Sequence, residues 1–139
     1  VYGPGIVFLR GSGYSGDRVG FGRIAMIDIN AEAQKSLSKS GLDIVFQYPQ
    51  SKETMPVVSF FTISEKGSFG ADDEAWFQDG TIAVDIFAHS PAQCGELALR
   101  VNGCMENDGW RRDFSMDVAD DTDGVFHKTM RFTKSFYIK

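Results

Sequence analysis

The chain has 139 residues, of which 42% are hydrophobic and 13% aromatic, with twelve Phe. That suits one domain with a filled core, and no apolar run approaches the ~20 residues of a transmembrane helix. Net charge is −5 overall but +2 over residues 1–25, leaving −7 on the remainder, a poor balance for gripping nucleic acid phosphates and no basis for a membrane partner.

Residues 1–25 hold seven Gly and sustain no helical or alternating period. They also lack the basic segment and following apolar segment of a secretory signal. Regular patterning begins at Met26, so we expect a Gly-rich arm over 1–25 and one domain over 26–139. N-terminal sequencing that finds a mature start at Met26 would check this. Gly11-Ser12-Gly13-Tyr14-Ser15-Gly16 fits a dinucleotide-loop pattern, and Ile6 to Leu9 could form a strand before it. A phosphate cradle needs a helix to open at that loop. Asp17 to Arg23 is no helix, and no βαβ unit follows. A flexible arm is expected there, and no cofactor.

Asn30 to Ser40 reads as a short helix with Asp28 or Asn30 as cap and Gly41 as a left-handed terminator. Asp43 to Phe46 is a short strand, and Gln47 to Pro56 a loop. Val57 to Ser64 is a β-branched and aromatic strand. Glu65 to Asp73, with Gly67, Gly70 and the acidic Asp72-Asp73-Glu74, is expected to be a long hairpin loop. Residues 74–78 can extend the next strand, with Asp79-Gly80 as a bulge or tight turn. Thr81 to Ala88 continues that strand.

Ser90-Pro91-Ala92-Gln93 is a strong helix start: a capping hydroxyl, Pro at the first helical position and Gln three residues after the cap. The helix 90–107 presents Cys94, Leu97, Ala98, Val101 and Met105 as its apolar stripe. Gly95 and Gly103 weaken it by roughly 1 kcal/mol each, and are expected to admit a neighbouring backbone. Cys94 and Cys104 lie ~15 Å apart on one helix, beyond the ~7 Å a disulfide allows, so free thiols are expected. Trp110, Arg112, Phe114, Met116 and Val118 alternate onto one face. After the Asp120–Gly124 turn, Phe126, Met130, Phe132, Phe136 and Ile138 alternate onto one face, opposite His127, Thr129, Arg131, Thr133 and Ser135. The expected class is α+β: a mainly antiparallel sheet of four to five strands with two helices on one face.

Catalytic signals are weak. Asp121, Asp123 and Gly124 echo a calcium loop, but the first ligand position is Ala119 and no closing Glu follows, so a solvated turn is expected rather than a metal site. His89 and His127 have no nucleophile or metal ligand at a known spacing. We therefore expect no enzyme. Phe60, Phe61, Phe69, Trp76, Phe77 and Phe87 crowd the central hairpin. Neighbouring residues of a strand point to opposite faces, so these six cannot all enter one core. The surplus points to an interface with another chain.

The order helix, strand, long-looped hairpin, Ser-Pro-capped helix and closing hairpin resembles the tail terminator (tail completion) proteins of long-tailed bacteriophages. The likeness is carried by Val57 to Ile63, Gly80 to Phe87, Ser90-Pro91 with Leu97 and Val101, Gly109-Trp110, and His127 to Phe132. It covers 26–139, and the Gly-rich lead has no counterpart. The resemblance implies a virion protein assembled in the host cytoplasm. Such a protein forms a ring, usually a hexamer, that caps the tail tube protein, ends its polymerisation and meets the head connector, while genome DNA passes through its lumen. The aromatic hairpin is then the candidate interface, with the helices as its complement. Asp72, Asp73 and Glu74 are the candidate lumen- or tube-facing loop. Alternatives are a head–tail connector or stopper, a tube-like subunit, or a small non-viral oligomeric binding module. An acylphosphatase-like enzyme needs an Arg in the anion loop before the helix, and His89-Ser90 offers none.

Overall fold

A computed structural model describes residues 6–8, 25–49, 54–69, 76–119 and 123–138. The elements are β1 (Ile6–Phe8), β2 (Ala25–Ile27), α1 (Ile29–Ser38), β3 (Ile44–Phe46), β4 (Val57–Phe69), β5 (Trp76–Ala88), α2 (Pro91–Asn107), β6 (Arg111–Val118) and β7 (Phe126–Tyr137). β3 to β7 form one five-stranded sheet in the order β3-β4-β5-β7-β6. β3 runs parallel to β4, and every other pairing is antiparallel. Both helices pack on one face, which makes the fold α+β. β1 pairs antiparallel with β2 in a separate ribbon, so regular structure crosses the boundary expected at Met26.

Capping chemistry sets both helices. Asp28 caps α1, its Oδ1 accepting the Ala31 N–H at 3.1 Å. Ser90 caps α2 through the Gln93 N–H, and the Gln93 amide oxygen reaches back to the His89 N–H. At the C-terminus of α2 the Gly109 N–H bonds the Glu106 carbonyl and the Trp110 N–H bonds the Met105 carbonyl. That is a Schellman closure, with Gly109 at φ 93°. The buried stripe of α2 is Cys94, Leu97, Ala98, Val101 and Met105, as its periodicity requires. With Ile29, Ala33 and Leu37 of α1 it covers Val58, Phe60, Ile82, Val84, Ile86, Met130, Phe132 and Phe136.

Four expectations change. The hairpin loop is shorter than the sequence suggests, because β4 continues through Glu65 to Phe69 opposite Gly80 to Trp76. Ladder pairing with β5 holds the inner side of that stretch, which outweighs the weak β-propensity of Glu, Lys and Gly. Gly80 makes neither turn nor bulge. It sits inside β5, where an added Cβ would stand 2.7 Å from Ile29 Cδ1; its missing side chain lets α1 lie close to the sheet. The bulge falls instead on β4, between Thr62 and Ser64. Gly95 and Gly103 admit no close neighbour, since a Cβ at either would meet nothing within 4 Å.

The two helices are clamped at one end. Asp108 accepts from Ser36 Oγ at 2.6 Å and from Lys39 Nζ at 2.9 Å. The Trp110 indole N–H donates to the same Ser36 hydroxyl, and Lys134 Nζ donates to the Asp108 carbonyl. The Ser36 and Lys39 hydrogen bonds, in that order, hold the Asp108 carboxyl below its ordinary range.

Candidate assembly surface

The sheet has a second face that neither helix touches. Register places Val57, Ser59 and Phe61 of β4 beside Phe87, Asp85 and Ala83 of β5. His127, Thr129 and Arg131 of β7 follow, then Val118, Met116 and Phe114 of β6. Val57 and Ala83 are buried. Phe87 stacks on the His127 ring at 4.2 Å, and Arg131 lies over the Phe114 ring at 5.5 Å. The face thus combines a small buried centre with a rim of large exposed side chains. Phe114 is 45% exposed, Met116 52% and Tyr137 60%.

Phe114 and Met116 were expected beside Trp110 and Arg112. A register shift between Arg112 and Phe114 separates them. Arg112 faces Phe132 on the helix side, whereas Phe114 faces Arg131 on the other. One extra residue in a strand exchanges every later side chain between faces. The sequence does carry a signal for this: Arg111-Arg112-Asp113 puts three charges in a row, and an apolar stripe through Arg112 has no easy continuation.

The six aromatics expected at an interface divide. Phe60 is fully buried on the helix side, edge-on to Phe46 at 5.5 Å. It belongs to the subunit's own core and is unavailable to a neighbour, a correction that follows from α1 and α2 lying over its face. Phe61, Phe77 and Phe87 are half-buried on the helix-free face. Phe77 packs against Tyr137 at 5.5 Å. Trp76 is 43% exposed at the hairpin end of β5, with Phe69 opposite it in register. Asp72, Asp73 and Glu74 lie outside the described residues, as does the glycine-rich loop 11–16.

Two polar features were not visible in the sequence. His127 Nε2 lies 2.8 Å from Asp85 Oδ1, a carboxylate 42 residues away that strand pairing brings alongside. Next to Asp85 in register, the Ser59 hydroxyl is buried with no hydrogen-bond partner among the described residues.

A cavity of about 470 Å³ opens between the first turn of α2 and the ends of β6 and β7, lined by Pro91, Cys94, Val118, Phe126 and His127 among others. The Cys94 thiol there is pushed up chiefly by burial, with the Lys128 charge opposing. A thiol held protonated is a poor nucleophile. Cys94 and Cys104 are both free thiols. His89 is exposed, its Nε2 3.2 Å from the Met55 carbonyl. Among the described residues no group of three His, Cys, Asp or Glu side chains could hold a metal, and no helix is long and apolar enough to cross a membrane. Searches against protein families and curated proteins match no family model and no curated protein.

Proposed function

We propose that the chain is a structural virion protein of the tail-terminator type, which assembles into a ring on the end of a phage tail tube, stops its growth and meets the head connector. The observation that supports this most is the helix-free sheet face, where Phe114, Met116 and Tyr137 stand exposed around half-buried Phe61, Phe77 and Phe87. A lone subunit gains nothing from displaying those apolar side chains; a neighbouring copy or a tube subunit would remove them from water. The acidic segment Asp72-Asp73-Glu74 is assigned to the lumen or tube side, where negative charge would keep DNA from adhering.

Mass photometry and negative-stain microscopy of the full chain test the reading. Closed rings that bind one end of purified tail tubes and limit their length are expected. A monomer at high concentration that ignores tubes would refute it. Rings that bind connectors and ignore tubes would move the protein to the neck. Reversing all three charges (D72K, D73K, E74K) is expected to slow DNA ejection from assembled particles; unchanged ejection would remove the loop from that role.

A further inference from the structure

We infer that consecutive copies join edge to edge, with β6 of one lying antiparallel to the Phe61–Phe69 half of β4 in the next, so that the five-stranded sheets merge into one curved wall. The inference rests on the ring-forming reading and names the surface that makes the ring.

Both edges are open among the described residues. β6 is the last strand on one side of the sheet, pairs only with β7, and is exposed along most of its length. On the other side β3 covers β4 only from Val58 to Phe60. Beyond that point β4 runs on for nine residues with its outer side unpaired by any described strand. Each edge therefore presents a row of backbone N–H and C=O groups, the usual template for adding a strand. Neither carries proline, and both display apolar side chains, Ile63 on β4 and Phe114 with Met116 on β6. Each edge also carries a bulge and exposed charges, Glu65 and Lys66 on β4 and Arg111, Arg112, Asp113 and Asp117 on β6, which limit indiscriminate pairing and leave a matching copy as the partner.

Strand polarity allows head-to-tail joining. β4 is antiparallel to β5, β5 to β7, and β7 to β6. β6 thus runs opposite to β4. A copy added by rotation, without inversion, meets the open β6 with an antiparallel β4. The alternation continues across the joint, and all helices stay on one side. An isologous dimer through two β6 strands would leave the long half of β4 bare. The heterologous joint uses both edges and closes into a ring when the rotation permits.

Two further observations favour a curved, closed wall over a flat fibre. The bulges of β4 and β6 flank a single rung: Thr62, Ile82, Phe132 and Arg112 face one another across the sheet, with the shift just beyond Thr62 on one edge and just beyond Arg112 on the other. Bulges bend and twist the strands that carry them, and one placed at each end of a rung curves the sheet along that line. In addition, β3 already occupies Val58 to Phe60, level with the Phe114–Val118 half of β6. An incoming β6 must therefore slide toward Phe69. That slip staggers each joint in the same sense, and stagger is what tilts the strands of a closed sheet by about 35–45°.

Cross-linking tests the joint. Lys66 and Met116 are exposed, and the register puts both on the helix-free side. In a Cys104→Ser background, with Cys94 left buried, Lys66→Cys and Met116→Cys proteins are prepared separately, then mixed and treated with a short bis-maleimide. The mixture is expected to give a covalent dimer that neither protein gives alone. The protein carrying both changes should give a ladder ending at the ring size. Ser64→Cys with Phe114→Cys repeats the test at another rung, so that a different register is also caught. Rings in the parent without cross-links at either pair would overturn the edge joint and leave the ring reading intact. Cross-linking of Met116→Cys or Phe114→Cys alone would show a β6–β6 joint and overturn it too. A monomeric parent would overturn both.

Discussion

The two faces of one sheet hold similar numbers of aromatic rings and use them differently. On the helix side Phe60, Phe132 and Trp110 are sealed under α1 and α2, and the clamp of Ser36, Lys39, Asp108 and Lys134 ties the cover down. On the helix-free side Phe87 leans on His127 and Phe114 on Arg131, and both, with Phe61, remain partly in water. A strand built of adjacent rings does not decide between core and interface. What lies over each face does.

Truncation should expose that difference most sharply. Phe60→Ala is expected to lower unfolding free energy by about 3–5 kcal/mol, as for a buried ring. Phe114→Ser should leave the isolated subunit within about 0.5 kcal/mol of the parent, as for a surface site, while abolishing self-association. Urea unfolding of dilute protein and mass photometry of concentrated protein read the two effects. Equal losses of stability would erase the distinction between the faces.

The clamp sharpens the comparison from the helix side. Asp108→Ala should cost about 1.5–3 kcal/mol, because Asp108 receives a charge-assisted bond as well as the Ser36 hydroxyl. Its pH dependence follows from the depressed carboxyl. Stability from this group is fully present above the ordinary carboxylate pKa and is lost as pH falls through the lower folded-state value. Acid unfolding of Asp108→Asn should accordingly be less steep below about pH 4 than that of the parent. Superimposable acid profiles would mean the clamp does not hold in solution.

Gly80→Ala probes how closely α1 meets the sheet. A Cβ there would crowd three Ile29 side-chain atoms at 2.7 to 2.9 Å, and overpacking of that kind costs about 1–3 kcal/mol. Pairing it with Ile29→Val should recover part of the loss. The smallest effect is expected on the helix-free side. Ser59→Ala removes a buried hydroxyl that has no partner among the described residues and should be neutral or stabilising by about 1 kcal/mol in thermal unfolding. A clear destabilisation would reveal a partner for that hydroxyl.

Much of the fold can be read along the chain because its signals are local. Asp28 and Ser90 start helices through bonds to groups three residues on, Gly109 ends one through its own φ, and the stripe from Cys94 to Met105 declares its buried side by spacing alone. Strand content and the two-face character of β7 follow from alternation in the same way. None of this needs a distant partner. The site was less legible. That Phe60 and Phe61 must part company is a property of any extended strand, but which of them is covered depends on where α1 and α2 land. Phe114 and Met116 changed sides through one extra residue at Asp113, and the Asp85–His127 contact exists only because β5 lies beside β7. The amino-acid order therefore determined the elements and their polarity, since caps, glycines and periodicities act within a few residues. Tertiary structure alone decided which rings are core, which face and edges stay open, and where the strands bulge, because those outcomes depend on contacts between residues tens of positions apart.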